Sequence, residues 1–292
     1  MGGYIHAQHR NRWQGISRTD RMPLGGKRMG NNSRREFLKV AGGAAAMAAM
    51  GSSAAAADLT LGMIFPPANT PVPPEAQLMY PTGVRFLAMG VGLERMTPEG
   101  YDKVVDRIVP AARQLASQGA NAICVMGTSL TFYKGSAFNE ELKREITKAT
   151  GLRSTTMSTA IIEGLKTVGG HRLAVATAYN EEVSARLRAF LEENGFEVLA
   201  IKGMGIERFE DRPPVTQDEL LEFSTSVWKM APKADAILIS CGALKTLEIL
   251  APLEERTRVP AVSSLPHALW AGVRLLGLSG HAPGYGTLLS RG

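Results

Sequence analysis

The sequence lacks the signals of most metal and nucleotide sites. Its five histidines are scattered, and no His, Cys and Asp spacing is typical of a metal site. No Gly-rich phosphate-binding motif of the G-x-G-x-x-G or P-loop type follows a predicted strand. No G-x-S-x-G motif marks a serine nucleophile. We therefore expect neither a bound nucleotide nor a metal.

The chain also lacks a positive charge excess outside its N-terminus. The formal net charge is +6, but nine of the 33 Lys and Arg residues and only two of the 27 Asp and Glu residues lie in 1–57. The remainder is left with 24 basic and 25 acidic residues and is nearly neutral. The basic character therefore belongs to a leader and does not indicate nucleic-acid binding.

That leader is typical of an exported protein. Residues 33–39 read SRREFLK, which resembles the twin-arginine export motif, and a weakly apolar stretch follows over 40–50. This stretch is too short and too rich in Ala and Gly to span a bilayer well. We expect residues 1–57 to be a leader that contains a signal peptide read by the twin-arginine machinery and cleaved near Ala57. The mature protein would then be periplasmic or otherwise exported, with no stable membrane anchor.

From Leu59 onward, short apolar strands alternate with amphipathic helices, which favours parallel α/β units. The pattern restarts at His171, so we predict two pseudo-symmetric Rossmann-like subdomains with parallel sheets, over residues 58–170 and 171–292. The C-terminal segment is free to pack back on the first subdomain. Ligand groups are expected in the cleft between the subdomains, at the carboxyl ends of the strands.

Two segments of the halves echo each other. Residues 122–130 read AICVMGTSL and residues 236–244 read AILISCGAL, which sets Gly127 opposite Cys241. We expect Cys241 at a strand end, opening a helix at residue 243, where the helix N-terminus favours a thiolate. The alternative is an inert buried cysteine.

The second cysteine, Cys124, is expected in the middle of a strand and packed in the core. A disulfide with Cys241 is the usual pairing in an exported protein. The two cysteines come from different halves, however, which favours two free thiols.

The turn Gly127-Thr128-Ser129 carries backbone N–H groups and two hydroxyls that suit an anionic oxygen pair. The alternative is an ordinary strand-to-helix turn in which Thr and Ser act as caps. Tyr179 follows the first strand of the second half, where it either donates its phenol to the same anion or serves only packing.

Several motifs, in order, resemble the arylmalonate decarboxylase family, within the aspartate/glutamate/hydantoin racemase and maleate isomerase superfamily. The resemblance covers nearly all of the chain from Leu59 on. It is carried by residues 62–67 (GMIFPP), 97–101 (TPEGY), 126–135 (MGTSLTFYKG), 155–159 (TTMST), 176–179 (ATAY), 238–247 (LISCGALKTL) and 283–286 (PGYG).

The resemblance implies a two-subdomain α/β enzyme that uses no cofactor and decarboxylates disubstituted malonates. Cys241 would be the single proton donor, with Gly127 where racemases carry a second thiol. One carboxylate of this small-molecule substrate, and then the enediolate, would be held in an oxyanion hole by hydroxyls and by the backbone at Cys241. The other carboxylate would lie in an apolar pocket, where burial without partners favours its loss as CO2. The residues implied for the oxyanion site are Thr128, Ser129, Tyr179, Gly242, Gly127 and Pro66, and those for the apolar pocket are Leu93, Met96, Tyr101 and Phe209.

One segment departs from the family pattern. Residues 206–214 contain Arg212, which would hold the departing carboxylate if it pointed inward; the alternative is that it points to solvent. Two other functions remain open at this stage. A racemase or cis-trans isomerase would need a second acid or base, such as His267. A periplasmic carboxylate-binding protein would not need Cys241.

Overall fold

The structure, a computed structural model, describes residues 59–208, 210 and 214–291. The predicted signal peptide lies outside these residues, as do Phe209 and Arg212. The first half contains four strands and six helices. They are β1 (Leu59–Phe65), α1 (Pro74–Met79), β2 (Val84–Gly90), α2 (Pro98–Asp102), α3 (Ile108–Ser117), β3 (Ala122–Val125), α4 (Thr128–Phe132), α5 (Gly135–Thr150), β4 (Arg153–Thr156) and α6 (Met157–Thr167).

The second half repeats the same alternation. Its elements are β5 (Arg172–Thr177), α7 (Glu181–Glu193), β6 (Glu197–Gly203), α8 (Gln217–Met230), β7 (Ala236–Ser240), α9 (Leu250–Thr257), β8 (Ala261–Ser263), α10 (Ser264–Leu275) and α11 (Thr287–Arg291). Short 3₁₀ turns at Val105–Arg107 and Leu247–Ile249 lead into α3 and α9.

The two sheets have the same topology. The strand orders are β2-β1-β3-β4 and β6-β5-β7-β8, and all pairings are parallel. β3 therefore corresponds to β7, and β4 to β8. This confirms the predicted α/β fold with two related parallel sheets, and it places Gly127 and Cys241 after equivalent strands.

The chain crosses between the halves at its C-terminal end. α10 leaves the second sheet at Ser263 but packs against α6, β3 and β4 of the first half. Trp270 of this helix is fully buried in a core that extends over both sheets. The domain boundary at residue 170 stays a prediction, because the two halves share this helix.

Among the described residues, four helices start at a side chain that accepts a hydrogen bond from their first turn, namely Thr97, Thr156, Asn180 and Thr216. Thr97 caps α2 by accepting from the Gly100 N–H, and Asn180 caps α7 by accepting from the Val183 N–H. The segment from Thr97 to Ser117 is divided into α2, a 3₁₀ turn and α3, and Pro110 lies in the first turn of α3, where its missing N–H costs nothing. No helix among the described residues is long and apolar enough to cross a membrane.

Candidate active site

A cavity of about 360 Å³ lies where the carboxyl ends of the central strands of both sheets meet. Such strand ends are the usual ligand site of parallel α/β folds. Its walls come from both halves of the chain, as predicted for a cleft. Among the predicted site residues, it is lined by Pro66, Leu93, Met96, Gly127, Thr128, Ser129, Tyr179, Cys241 and Gly242.

Cys241 follows β7 and lines the cavity with only 5% of its surface exposed. Its φ of 149° lies in the range that residues with a Cβ rarely adopt. The Cys241 N–H donates to Ser264 Oγ at 3.0 Å, and its carbonyl accepts from the Leu244 N–H at 3.2 Å. Strained backbone of this kind occurs at functional sites, where the surroundings hold it in place.

Burial raises the pKa of the Cys241 thiol to about 11. The amides of Ala243 and Leu244 and the hydroxyl of Tyr179 act in the opposite direction but do not offset burial. The expected helix at residue 243 is wrong, because the next helical residues begin at Leu247. The group is therefore a neutral thiol at pH 7, which suits a proton donor, and the predicted thiolate is wrong.

Thr128 and Ser129 begin α4 and are almost fully buried at the cavity wall. The Thr128 hydroxyl lies 2.9 Å from Ser264 Oγ and 2.8 Å from Met157 Sδ. Ser129 instead presents its hydroxyl toward Tyr101.

Two backbone groups complete this wall. The N–H groups at the start of α4 have no acceptor within the helix. In the described part of the chain no group accepts from the Gly242 N–H, whereas the Cys241 N–H is taken by Ser264. The expectation that the Cys241 amide faces the substrate is therefore wrong.

Two buried tyrosines approach the thiol. Tyr179 lies 3.3 Å from Ser240 Oγ through its hydroxyl, which also interacts with Thr128 and Cys241. Tyr101 is fully buried behind the cavity wall, and its hydroxyl has no well-formed hydrogen bond among the described residues. Burial raises the pKa of both phenols, so both are neutral donors at pH 7.

The rest of the cavity lining combines apolar side chains with the charged residues Glu94, Arg95, Glu207, Arg208 and Glu210. Leu93 and Met96, predicted for an apolar pocket, line the cavity, as do Leu265 and Pro66, which the resemblance assigned to the oxyanion site. Gly127 lies against Pro66, so closely that a Cβ on Gly127 would stand 2.7 Å from Pro66 Cγ. The glycine therefore allows Pro66 to pack directly on the backbone of this turn.

The mouth of the cavity carries a clasp that the sequence did not indicate. Arg95 Nη2 pairs with Glu207 Oε2 at 2.5 Å, and the Met96 N–H donates to the Glu207 carbonyl at 2.9 Å. Asn180 donates to the other carboxylate oxygen of Glu207 at 3.0 Å. These bonds join the loop after β2 to the loop after β6. Only a tertiary structure brings these three segments together, so no local signal could have identified the clasp.

The remaining candidates lie elsewhere. His267 is buried in α10 with Nδ1 against the Ser263 backbone, and burial lowers its pKa to about 4. It does not line the cavity and offers no second acid there. Cys124 is fully buried in β3, and both cysteines are free thiols. Within the described residues, no cluster of His, Cys, Asp or Glu could hold a metal ion.

Comparison with known proteins agrees with this architecture. The family model for arylmalonate decarboxylase matches residues 61–289, and the model for the twin-arginine signal sequence matches residues 31–51. An arylmalonate decarboxylase from Bordetella bronchiseptica is 45% identical over 230 residues, covering 78% of this chain and 95% of that protein. A maleate isomerase from Nocardia farcinica is 24% identical over 242 residues, covering 78% and 94%.

Solved structures show the same likeness. Unliganded arylmalonate decarboxylase superposes with a TM-score of 0.74 at 43% identity, covering 80% of this chain and all of that one. A glycine-to-cysteine, cysteine-to-serine double mutant of that enzyme, in liganded form, gives 0.78 at 43% identity over the same shares. The maleate isomerase of Pseudomonas putida S16 shares the fold, with a TM-score of 0.71 at 20% identity, covering 80% and 98%.

The fold and the buried cleft define a two-sheet α/β enzyme of the kind that these decarboxylases and isomerases share. The chain belongs to the arylmalonate decarboxylase family and is a carboxy-lyase. Its twin-arginine signal marks it for export, to the periplasm or beyond.

Proposed function

We propose that this protein decarboxylates disubstituted arylmalonate-type diacids without a cofactor, through a bound enediolate that Cys241 alone protonates. The observation that carries the proposal is the state of this thiol. Its pKa is raised to about 11 by burial, so it is a neutral acid in a cavity that also presents hydroxyl and amide donors. An acid is what the second half of a decarboxylation requires.

The binding step follows from the two kinds of group that line the cavity, hydrogen-bond donors and apolar side chains. One carboxylate of the malonate accepts hydrogen bonds from Ser129, Tyr179 and the Gly242 N–H, and from Thr128 once its hydroxyl hydrogen turns to the carboxylate while its oxygen stays against Ser264 Oγ. The other carboxylate lies against the apolar side chains of Leu93 and Met96. Burying that charge is costly, and its conversion to neutral CO2 removes the cost.

The chemical step breaks the bond between the α-carbon and the apolar-side carboxylate. Its electron pair passes to the α-carbon and the remaining carboxylate, which gives an enediolate held by the donors, while CO2 leaves. The Cys241 S–H then transfers its proton to the α-carbon. The thiolate regains a proton from solvent, so each turnover converts a malonate dianion and one proton to CO2 and a monocarboxylate.

The product is expected as one enantiomer. Cys241 supplies a proton to one face of the enediolate, and Gly127 has no side chain that could supply one to the other face. A racemase or an isomerase would need that second group, and His267 does not line the cavity. The site therefore favours a one-way protonation over an exchange between two acids.

The proposal is tested by measuring CO2 release from an α-aryl-α-methylmalonate without added cofactor or metal. The unmodified protein should turn over, and Cys241→Ser should lose most of this activity, because a serine hydroxyl is a far weaker acid than a thiol. The substitution Cys124→Ala is the matched control, since Cys124 is buried in β3 away from the cavity.

Two results would favour the alternatives. Failure to release CO2 from a panel of malonates, together with racemisation of an amino acid or arylpropionate, would indicate a racemase. Tight carboxylate binding that Cys241→Ala leaves unchanged, with no turnover of any substrate, would indicate a binding protein.

A further inference from the structure

Ser264 joins the two turns that form the site. Its Oγ accepts one hydrogen bond from Thr128 Oγ1 at 2.9 Å and another from the Cys241 N–H at 3.0 Å. Thr128 belongs to the turn after β3 in the first half, and Cys241 to the turn after β7 in the second. Ser264 is fully buried and does not line the cavity, so it acts on these two residues rather than on a substrate.

The Cys241 backbone depends on this contact. Its φ of 149° is unfavourable for a residue with a Cβ and persists only where neighbouring groups hold it. Two hydrogen bonds fix this backbone. The Cys241 N–H donates to Ser264 Oγ, and the Leu244 N–H donates to the Cys241 carbonyl. Among the described residues the Cys241 N–H has no other acceptor. Removing the Ser264 oxygen would leave a buried amide unpaired and release the strained turn.

The same oxygen fixes Thr128. The Thr128 hydroxyl contacts both Ser264 Oγ and Met157 Sδ, and these two buried groups fix its position at the cavity wall. A single atom therefore links the turn that carries the thiol to the anion-binding turn. Proton transfer depends steeply on that geometry.

We propose that Ser264 is a positioning residue that holds the Cys241 thiol in line with the α-carbon of the bound enediolate. The inference rests on the proposed function, because it assigns Ser264 a role in that proton transfer. It acts through the Cys241 backbone and the Thr128 oxygen, and so it governs the rate of the chemical step more than the binding of substrate.

The chain supplies a matched control one residue away. Ser263 is also fully buried, but its Oγ accepts from Thr246 Oγ1 at 2.9 Å and lies near His267, with no hydrogen bond to Thr128 or Cys241. Each of the two substitutions, Ser263→Ala and Ser264→Ala, therefore removes one hydroxyl group from the same buried segment. Only the second change touches the site.

The experiment compares the full-length protein with these two variants by steady-state kinetics on an α-aryl-α-methylmalonate and by site-resolved amide hydrogen exchange. We expect Ser264→Ala to lower kcat roughly 10- to 100-fold with little change in KM, as a small misplacement of reacting groups does. The Cys241 amide should exchange at least about tenfold faster in this variant. Ser263→Ala should keep kcat and the protection of Cys241, whatever it does to Tm.

The proposal is overturned if Ser264→Ala keeps its kcat, or if both variants lose kcat in proportion to their loss of Tm. It is also overturned if the Cys241 amide of the unmodified protein exchanges as fast as the Gly242 amide, a result that requires no variant to fold. Absence of CO2 release from the unmodified protein would instead refute the proposed function. The exchange data would still decide whether Ser264 anchors the Cys241 turn.

Discussion

Met157 and Ser264 occupy equivalent places in the two halves, each as the first residue of the helix after the last strand of its sheet. Both contact the Thr128 hydroxyl, Met157 through its sulfur and Ser264 through its oxygen. They differ in what they do to the turn of the second half. Met157 packs on Gly242, where a Cβ would stand 2.9 Å from its Cε, while Ser264 binds the Cys241 amide. The duplicated fold thus places an apolar side chain, Met157, and a hydrogen-bonding side chain, Ser264, at symmetric positions.

The raised pKa of Cys241 predicts a distinctive pH profile. The protonated thiol is the active form, so kcat/KM should persist above neutral pH and fall only as the pH rises toward about 11. Alkylation of the thiol by iodoacetamide should increase over the same range, because the thiolate is the nucleophile. Cys124→Ala should show the same two profiles. An alkaline loss centred near pH 8 would contradict the assignment.

A second thiol introduced at Gly127 should change the reaction that the site catalyses. Gly127→Cys should gain the ability to racemise a 2-arylpropionate and lose decarboxylase activity. Gly127→Ala is the control, because it adds the same Cβ without an acid. Both should lower decarboxylation roughly tenfold or more, since this Cβ would stand 2.7 Å from Pro66 Cγ.

Racemisation is followed by chiral chromatography and by deuterium uptake in D2O. Only Gly127→Cys should invert the α-carbon. Equal racemisation by the alanine variant would show that a group other than the new thiol supplies the second proton.

Because the clasp at the cavity mouth contains the ion pair between Arg95 and Glu207, we expect KM to depend on ionic strength. Glu207→Ala removes the ion pair with Arg95 and the bond from Asn180, which loosens the loop that carries Met96. We expect KM to rise roughly two- to fivefold with a smaller change in kcat, in keeping with an exposed pair. High ionic strength should raise the KM of the unmodified protein toward that of the variant.

A second exposed pair provides the comparison for this prediction. Arg256 and Glu222 join α9 to α8 away from the cavity, and Glu222→Ala should leave KM unchanged at every salt concentration. Equal effects of the two substitutions would mean that the clasp has no special bearing on substrate entry.

Much of the fold was predictable because it depends on local pattern. The alternation of apolar strands with amphipathic helices predicted parallel α/β units, and the echo of two segments placed Gly127 and Cys241 after equivalent strands. The cavity lining also followed for Leu93, Met96 and Tyr179, because motif resemblance carries information on residues far apart in the sequence.

The errors concern properties that tertiary structure sets. The sequence pattern predicted a helix from residue 243, but Gly242 fits against Met157 and the turn remains open until Leu247. The thiolate prediction used a helix terminus and omitted burial, which dominates the pKa of Cys241. Ser264 carried no sequence signal, because a serine at a helix start is ordinarily a cap.

The path of α10 bears on how a substrate enters. This helix begins at the edge of the second sheet yet packs on β3 and β4 of the first, so the two halves are interlocked rather than joined by a free hinge. Two-lobed binding proteins capture ligands by swinging one lobe against the other. An interlocked pair cannot open in that way without unpacking Trp270 from the shared core. We therefore expect substrate to enter through local loop movement at the mouth, while the shared core behind the thiol keeps its packing.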